Sequence, residues 1–327
     1  MADSVRNTLK RIHNADYLTI DFINEWYNDS LYITAHTSGS TGTPKKIQLL
    51  KQDMIESAIA TCKYFGINES STLVLPLSTN YIAGKMMIVR AIVSGAKLWI
   101  EEPSNTPIKN DYGQIDLLPI VPPQSDWLAS DCKFSMNINN LIIGGGVLSD
   151  IQEKRLIQRG INAYATYGMT ETCSHIALRH IMTDVYKTLP NITVSVDSRN
   201  CLIINAPNFS FKTVTTSDIV KLIDDTHFKW VGRYDNVINT GGIKVFPEEI
   251  EQKLNPIIHA PFFIHGRNND KWGSCVVLYI ESQPFNTNTL ITQMHSILNK
   301  YSIPKEIIFV SQFIRTESGK IKRMNYD

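Results

Sequence analysis

The chain has 327 residues, 43% hydrophobic and 19% charged, a globular balance and more length than one typical core takes. Its 32 basic and 31 acidic side chains leave a formal charge of +1, so nothing in the totals argues for capture of nucleic acid or an anionic membrane. The start, MADSVRNTLK, lacks the apolar core of a signal peptide, and no apolar run approaches the ~18 residues of a membrane span. Five scattered cysteines (Cys62, Cys132, Cys173, Cys201 and Cys275) form no CxxC pair, which predicts reduced thiols and a cytoplasmic protein rather than a zinc site or disulfide framework.

In chain order, STLVLPL (71–77) predicts a strand, GKMMIVRAIVSG (84–95) a mostly buried helix and AKLWIEE the next strand. NLIIGGG (140–146) is a strand running into a glycine turn, and the helix SDIQEKRLIQRG follows with Ser149 or Asp150 as its cap. NAYATYGMTET is another strand leading into a loop. From about 192 the pattern changes to short strands: ITVSVD, CLIINAP, DIVKLID and HFKWVGR. After Arg233 it changes again, to the helix FPEEIEQKLN with proline in its first turn, the strand CVVLYIE, the helix NTLITQMHSILNK and the strand EIIFV. Alternating strands and helices predict a large α/β domain over 1–233, and the remainder a small α+β domain over 234–327.

The stretch TSGSTGTPK (37–45) departs from both periodicities. Thr37, Ser38, Ser40, Thr41 and Thr43 offer hydroxyls, Gly39 and Gly42 allow backbone N–H groups close to an anion, and Lys45 adds charge. It is not a Walker A loop: counted from Gly39, the second glycine position is Pro44, and Lys46 stands where Ser or Thr is required. The alternative is a flexible polar turn.

Other segments favour a nucleotide. YGMTET (167–172) sets an aromatic face beside two threonines and one carboxylate: Tyr167 can stack on a base, and Glu171 suits magnesium next to phosphates. Asp218 can accept two ribose hydroxyls, and Arg233 can bind hydroxyl or phosphate oxygens. RTESGKIKR places Lys320 in a polar, glycine-bearing turn. Each alone is weak, since an exposed Asp or Lys is usually a solvated charge.

Together and in this order, TSGSTGTPK, YGMTET, GRYDNVINTGG and the terminal SGK resemble the acyl-adenylate-forming superfamily of acyl-CoA synthetases, adenylation domains and luciferases, over residues 35 to 323. The resemblance implies a large domain that binds ATP and an acid, with magnesium, and a mobile C-terminal domain that swings between two half-reactions. It implies Tyr167 against adenine, Gly144, Gly145 and Gly146 lining the acyl-adenylate, and Thr170 and Glu171 on phosphate and magnesium. Asp218 and Arg233 match the ribose contacts, Asp235 the hinge and Lys320 the adenylation catalyst. NTGGIKVFPEEIE resembles the hinge region of CoA ligases, with Gly241, Gly242 and Lys244 on the side of the pantetheine arm, so coenzyme A is the expected acceptor. The chain departs in one respect: relatives usually carry well over a hundred residues before the phosphate loop, so a shortened N-terminal part is expected.

The acid pocket should draw on PLSTNYIAGKMMIVRAIVSG. Arg90 interrupts its apolar run, and a buried guanidinium is costly without an anion. Arg90 either snorkels to water, pairs with a structural acid, or receives a second carboxylate on the substrate. Lys85, at the helix start, reads more readily as solvated, with the same carboxylate role as its alternative. LSTNYIAGKMMIVRAIVSG and VGRYDNVINTGGIKVFPEEIE further resemble the short o-succinylbenzoate–CoA ligases of menaquinone biosynthesis, in which an arginine matching Arg90 serves the aryl carboxylate. Other aryl or acyl-CoA ligases, a freestanding enzyme that loads a carrier protein, and a non-catalytic nucleotide-binding relative remain as alternatives. The last should have lost Lys320 or Glu171, and both are present.

Overall fold

The computed structural model describes residues 2–36, 46–131, 137–270, 272–316 and 321–326. Two compact units emerge, the first from the chain up to Val194 together with Asn205–Val214, the second from Ser195–Ile204 and Thr215 onward.

In the first unit, Ile12–His13, Lys97–Ile100 and Thr72–Leu75 form a parallel sheet. A second run of parallel strands joins Leu118–Ile120, Leu141–Ile143 and Ala163–Gly168, and continues antiparallel through His175–His180 to Tyr186–Thr188. Leu118, Ile120, Leu141, Ile142 and Ile143 are all buried, as expected of parallel strands covered on both faces. Val74, Ile115, Leu156 and Ile181 complete their core. The helix Asp150–Gln158 bridges the strands Leu141–Ile143 and Ala163–Gly168, and Ser149 caps it, its hydroxyl accepting from Gln152 N–H at 3.3 Å. The expected buried helix runs Ile82–Ser94, with every residue from Gly84 to Arg90 out of solvent. A helix apolar on all sides has to be enclosed, and Lys51–Phe65 packs beside it. Gly84 is required there, because a Cβ would stand 2.4 Å from the Ser78 carbonyl oxygen.

In the second unit, Phe262–Asn269 and Gly273–Glu281 pair antiparallel, and Glu306–Val310 joins the latter in parallel. Strand alternation divides the core. Val276, Leu278 and Ile280 pack with Ile250 and Leu254 of the helix Pro247–Leu254 and with Leu290 and Met294 of Asn288–Ile297. Cys275, Val277 and Tyr279 face the other way, onto Phe263 and Phe313. Ile238–Thr240 and Ile243–Val245 form a hairpin closed by Gly241 and Gly242, with φ of +58° and +81°. A two-residue hairpin turn with both φ positive suits glycine at both places.

Candidate active site

The phosphate-loop candidates Thr37, Ser38, Gly39, Ser40, Thr41, Gly42 and Lys45 lie outside the described residues, as does Lys320. The backbone flanking each is paired. Tyr32–His36 and Lys46–Leu50 form an antiparallel hairpin in which His36 stands opposite Lys46. Arg315 bridges to Ile321, and Lys322 N–H donates to the Ile314 carbonyl at 2.8 Å.

In the first unit, the Gly144 N–H donates to the Ile120 carbonyl at 3.1 Å, leaving Gly145 and Gly146 exposed just past the carboxyl end of a parallel strand. That end of an open α/β sheet is where ligands bind. A Cβ on Gly144 would meet Thr166 Oγ1 at 2.8 Å, so only glycine leaves this approach open. One strand over, Tyr167 is half-buried, its ring 5.8 Å from that of Tyr186. Gly168 and Ser174 then come so close that a Cβ on Gly168 would stand 2.2 Å from the Ser174 carbonyl oxygen. The short 3-10 turn Thr170–Thr172 lies between them. Thr172 Oγ1 accepts from Met169 N–H at 3.1 Å and donates to the Ser174 carbonyl at 2.8 Å, while Cys173 closes the turn at φ +62°. The turn is thus tied at both ends, with Glu171 exposed and Thr170 half-buried on it. Among the described residues no group of three or more metal-ligating side chains exists.

Arg90 does neither of the ordinary things. It is 2% exposed, so it does not reach water, and among the described residues no carboxylate pairs with it. Its Nη2 donates to Ser174 Oγ at 2.6 Å, its Nη1 approaches Met87 Sδ at 3.6 Å, and its Nε has no hydrogen-bond partner among the described residues. Burial draws its pKa down to about 10. The reading of Lys85 as solvated is corrected. Lys85 is buried, 3.7 Å from the Glu25 carboxylate and 4.6 Å from the centre of the Phe22 ring. The apolar helix carries it inward, and Glu25, far off in sequence, answers its charge.

Sequence reasoning stopped at YGMTET and so missed the two residues after Cys173. Ser174 holds Arg90, and its Oγ lies 3.3 Å from Nδ1 of the buried His175, whose Nε2 lies 3.2 Å from Thr61 Oγ1. The signal was the polar pair SH directly before the apolar run Ile176–Leu178 of the strand His175–His180. Burial, and then the Arg90 charge, hold the His175 pKa well below the usual range. Below pH ~6.5 the unfolded chain takes up a proton that the native His175 refuses, so stability must fall as pH falls. Thermal melts between pH 7 and 5 should show a loss of up to about 1.4 kcal/mol per pH unit, with a shallower slope in His175→Gln.

In the second unit, Asp218 and Arg233 are direct cross-strand partners. Trp230 Nε1 donates to Asp218 Oδ1 at 3.2 Å and orients that buried carboxylate, another contact the sequence did not announce. Arg233 Nη2 lies 3.2 Å from Asp235 Oδ2 in an exposed ion pair, with Asp235 in the 3-10 turn Tyr234–Asn236. The Tyr234 ring sits 5.0 Å from the Arg199 guanidinium and 5.9 Å from Lys244 Nζ.

Comparison with known proteins gives this geometry a family. The AMP-binding enzyme profile matches residues 8–208. The 2-succinylbenzoate–CoA ligase of Listeria monocytogenes serovar 1/2a is 25% identical over 337 residues, spanning 94% of this chain and 72% of that protein. The enzyme of the same name from Staphylococcus aureus is 25% identical over 339 residues, spanning 93% and 68%. Among solved structures, an acyl-CoA synthetase (AMP-forming)/AMP-acid ligase II-like protein from Dyadobacter fermentans is 31% identical, with a TM-score of 0.63 over 94% of this chain and 91% of that one. The o-succinylbenzoate CoA synthetase of Bacillus subtilis, in complex with its acyl-adenylate intermediate, shares the fold at a TM-score of 0.78, with 20% identity over 89% of this chain and 67% of that one. The chain belongs to the AMP-binding enzyme family.

Proposed function

We propose that the protein is an AMP-forming acid–CoA ligase that converts o-succinylbenzoate to its CoA thioester, a cytoplasmic step of menaquinone biosynthesis. The chemistry at the family level rests on the profile match and on the ligases it resembles. The observation that carries the choice of acid is Arg90: a buried guanidinium with an unsatisfied Nε and no carboxylate among the described residues calls for an anion from the substrate.

A carboxylate is a poor acyl donor because its leaving group would be oxide. Attack of its oxygen on the α-phosphorus of ATP expels pyrophosphate and leaves an acyl-adenylate, whose leaving group is AMP. In this reading Tyr167 stacks on adenine, Asp218 and Arg233 bind the ribose, and the hydroxyls and N–H groups of 37–45 take the phosphates. Glu171 and Thr170, one carboxylate and one hydroxyl, would hold magnesium, an ion that one or two protein oxygens suffice to bind beside substrate phosphates. The chemistry it would supply there is neutralisation of phosphate charge. Lys320 donates to the reacting oxygens in the adenylating pose. The thiol of coenzyme A then attacks the mixed anhydride, approaching past Gly241, Gly242 and Lys244. We place the functional boundary between 1–233 and 234–327, with Asp235 as the pivot.

The test is pyrophosphate release over a panel of carboxylic acids, with and without coenzyme A. Fastest turnover with o-succinylbenzoate, dependent on coenzyme A, is expected. Release that ignores coenzyme A but responds to a carrier protein, or equal turnover of simple fatty acids, would overturn the reading. Arg90→Leu should raise KM for o-succinylbenzoate by about 1.5–3 kcal/mol in free-energy terms, with KM for ATP nearly unchanged. Lys85→Leu should do less to acid recognition, because Glu25 already answers that charge.

A further inference from the structure

Arg90 needs something to aim it. Its one strong hydrogen bond runs to Ser174 Oγ, and the order of donors behind that bond follows from the chemistry of each group. With the single proton of Thr61 Oγ1 on the Ser57 carbonyl, its nearer acceptor at 3.0 Å within the same helix, the hydroxyl accepts from His175 Nε2 at 3.2 Å. In that arrangement His175 carries its proton on Nε2, and its Nδ1 is an acceptor 3.3 Å from Ser174 Oγ. The Ser174 hydroxyl proton goes to that nitrogen, and its oxygen lone pairs turn to Arg90 Nη2 at 2.6 Å. Every donor from Arg90 to Ser57 points the same way, ending on a backbone carbonyl. A neutral His175 is what this order demands, and burial beside the Arg90 charge keeps it neutral. Ser174 also takes part in the turn that carries Thr170 and Glu171, its carbonyl accepting from Thr172 Oγ1 at 2.8 Å. One residue thus registers the guanidinium against that turn.

We propose that Ser174 is a positioning residue for acid selection, holding the Arg90 guanidinium toward the substrate's second carboxylate through a one-way relay anchored by His175 and Thr61. The inference rests on the reading of Arg90 as the receptor of that carboxylate. A serine that merely filled space would leave acid preference untouched when replaced by alanine. A serine that aims the cation would not, because a guanidinium on a long side chain loses geometry when its tether goes.

The experiment compares kcat/KM for o-succinylbenzoate with that for benzoylpropionate, the analogue lacking the aryl carboxylate. The enzymes are wild type, Arg90→Leu, Ser174→Ala, Ser174→Thr, Thr61→Val and the Arg90→Leu/Ser174→Ala double variant, each checked by thermal melt. Ser174→Ala should cut the preference by ~10-fold, chiefly through KM for the diacid, Ser174→Thr should retain most of it, and Thr61→Val should lose a smaller part. In the Arg90→Leu background, Ser174→Ala should change the preference no further. If Arg90→Leu lowers the preference but Ser174→Ala does not, the positioning role is overturned while the reading of Arg90 stands. If Ser174→Ala acts equally with and without Arg90, the relay is overturned as well. If Arg90→Leu leaves the preference unchanged, the Arg90 reading falls and the inference with it.

Discussion

Lys320→Ala is expected to slow acyl-adenylate formation by ~100-fold or more, the scale of losing one transition-state donor, while thioester formation from supplied acyl-adenylate stays nearly intact. The difference follows from when the ammonium is needed. In the first half-reaction negative charge moves from the attacking carboxylate onto the α-phosphate and the leaving pyrophosphate oxygen, and a fixed cation placed there stabilises that distribution more than the ground state. In the second, a thiol attacks a carbonyl whose leaving group is already AMP, and in the proposed reading the C-terminal domain has swung away. The described backbone on either side of that segment is paired, Arg315 bridging to Ile321. Single-turnover assays, one following pyrophosphate from acid and ATP and one following AMP from synthetic acyl-adenylate and coenzyme A, separate the steps. Equal damage to both would remove Lys320 from the adenylating role.

Asp235→Pro is expected to stop the complete reaction by allowing the adenylate to form and blocking the coenzyme A step. Residue 235 sits in the middle of the 3-10 turn Tyr234–Asn236, and proline locks φ near the value such turns use, about −65°. A pivot works by changing φ and ψ at one or a few residues, so a locked φ retains one pose. Asp235→Ala is the control. It removes the ion pair with Arg233, an exposed contact worth about 0–1 kcal/mol, but leaves the backbone free. Both half-reactions should survive in Asp235→Ala within a few-fold. A proline variant with unchanged overall turnover would move the pivot elsewhere along Tyr234–Asn236 or beyond it.

Much of this protein is legible in its sequence because it is local. Periodicity and glycine placement marked the helix at 84–95, a cap at Ser149 or Asp150 (Ser149 in the fold) and the strands from 192 onward, since those depend on neighbours a few residues away. Gly241 and Gly242 suited a close-passing segment for the same reason, and the fold shows them closing a two-residue hairpin turn. The motif order carried the family because TSGSTGTPK, YGMTET and GRYDNVINTGG are each contiguous stretches.

What the sequence left open was the environment of each charge, which depends on residues brought near only by packing. From sequence Arg90 could snorkel, pair with a structural acid or receive a substrate carboxylate, and the fold speaks against the first two by leaving it 2% exposed with no carboxylate partner among the described residues. Lys85 read as solvated because it stands at a helix start, yet Glu25 and Phe22, sixty residues or so before it, enclose it. Asp218 and Arg233 were singled out separately, and only the strand register made them direct partners, with Trp230 fixing the carboxylate. The relay from Arg90 through Ser174 and His175 to Thr61 draws on two helices and the strand end after the Glu171 turn. Local propensity specifies where a helix or strand runs. The solvation and partners of a charge are a property of the folded volume around it, and no stretch of sequence contains that volume.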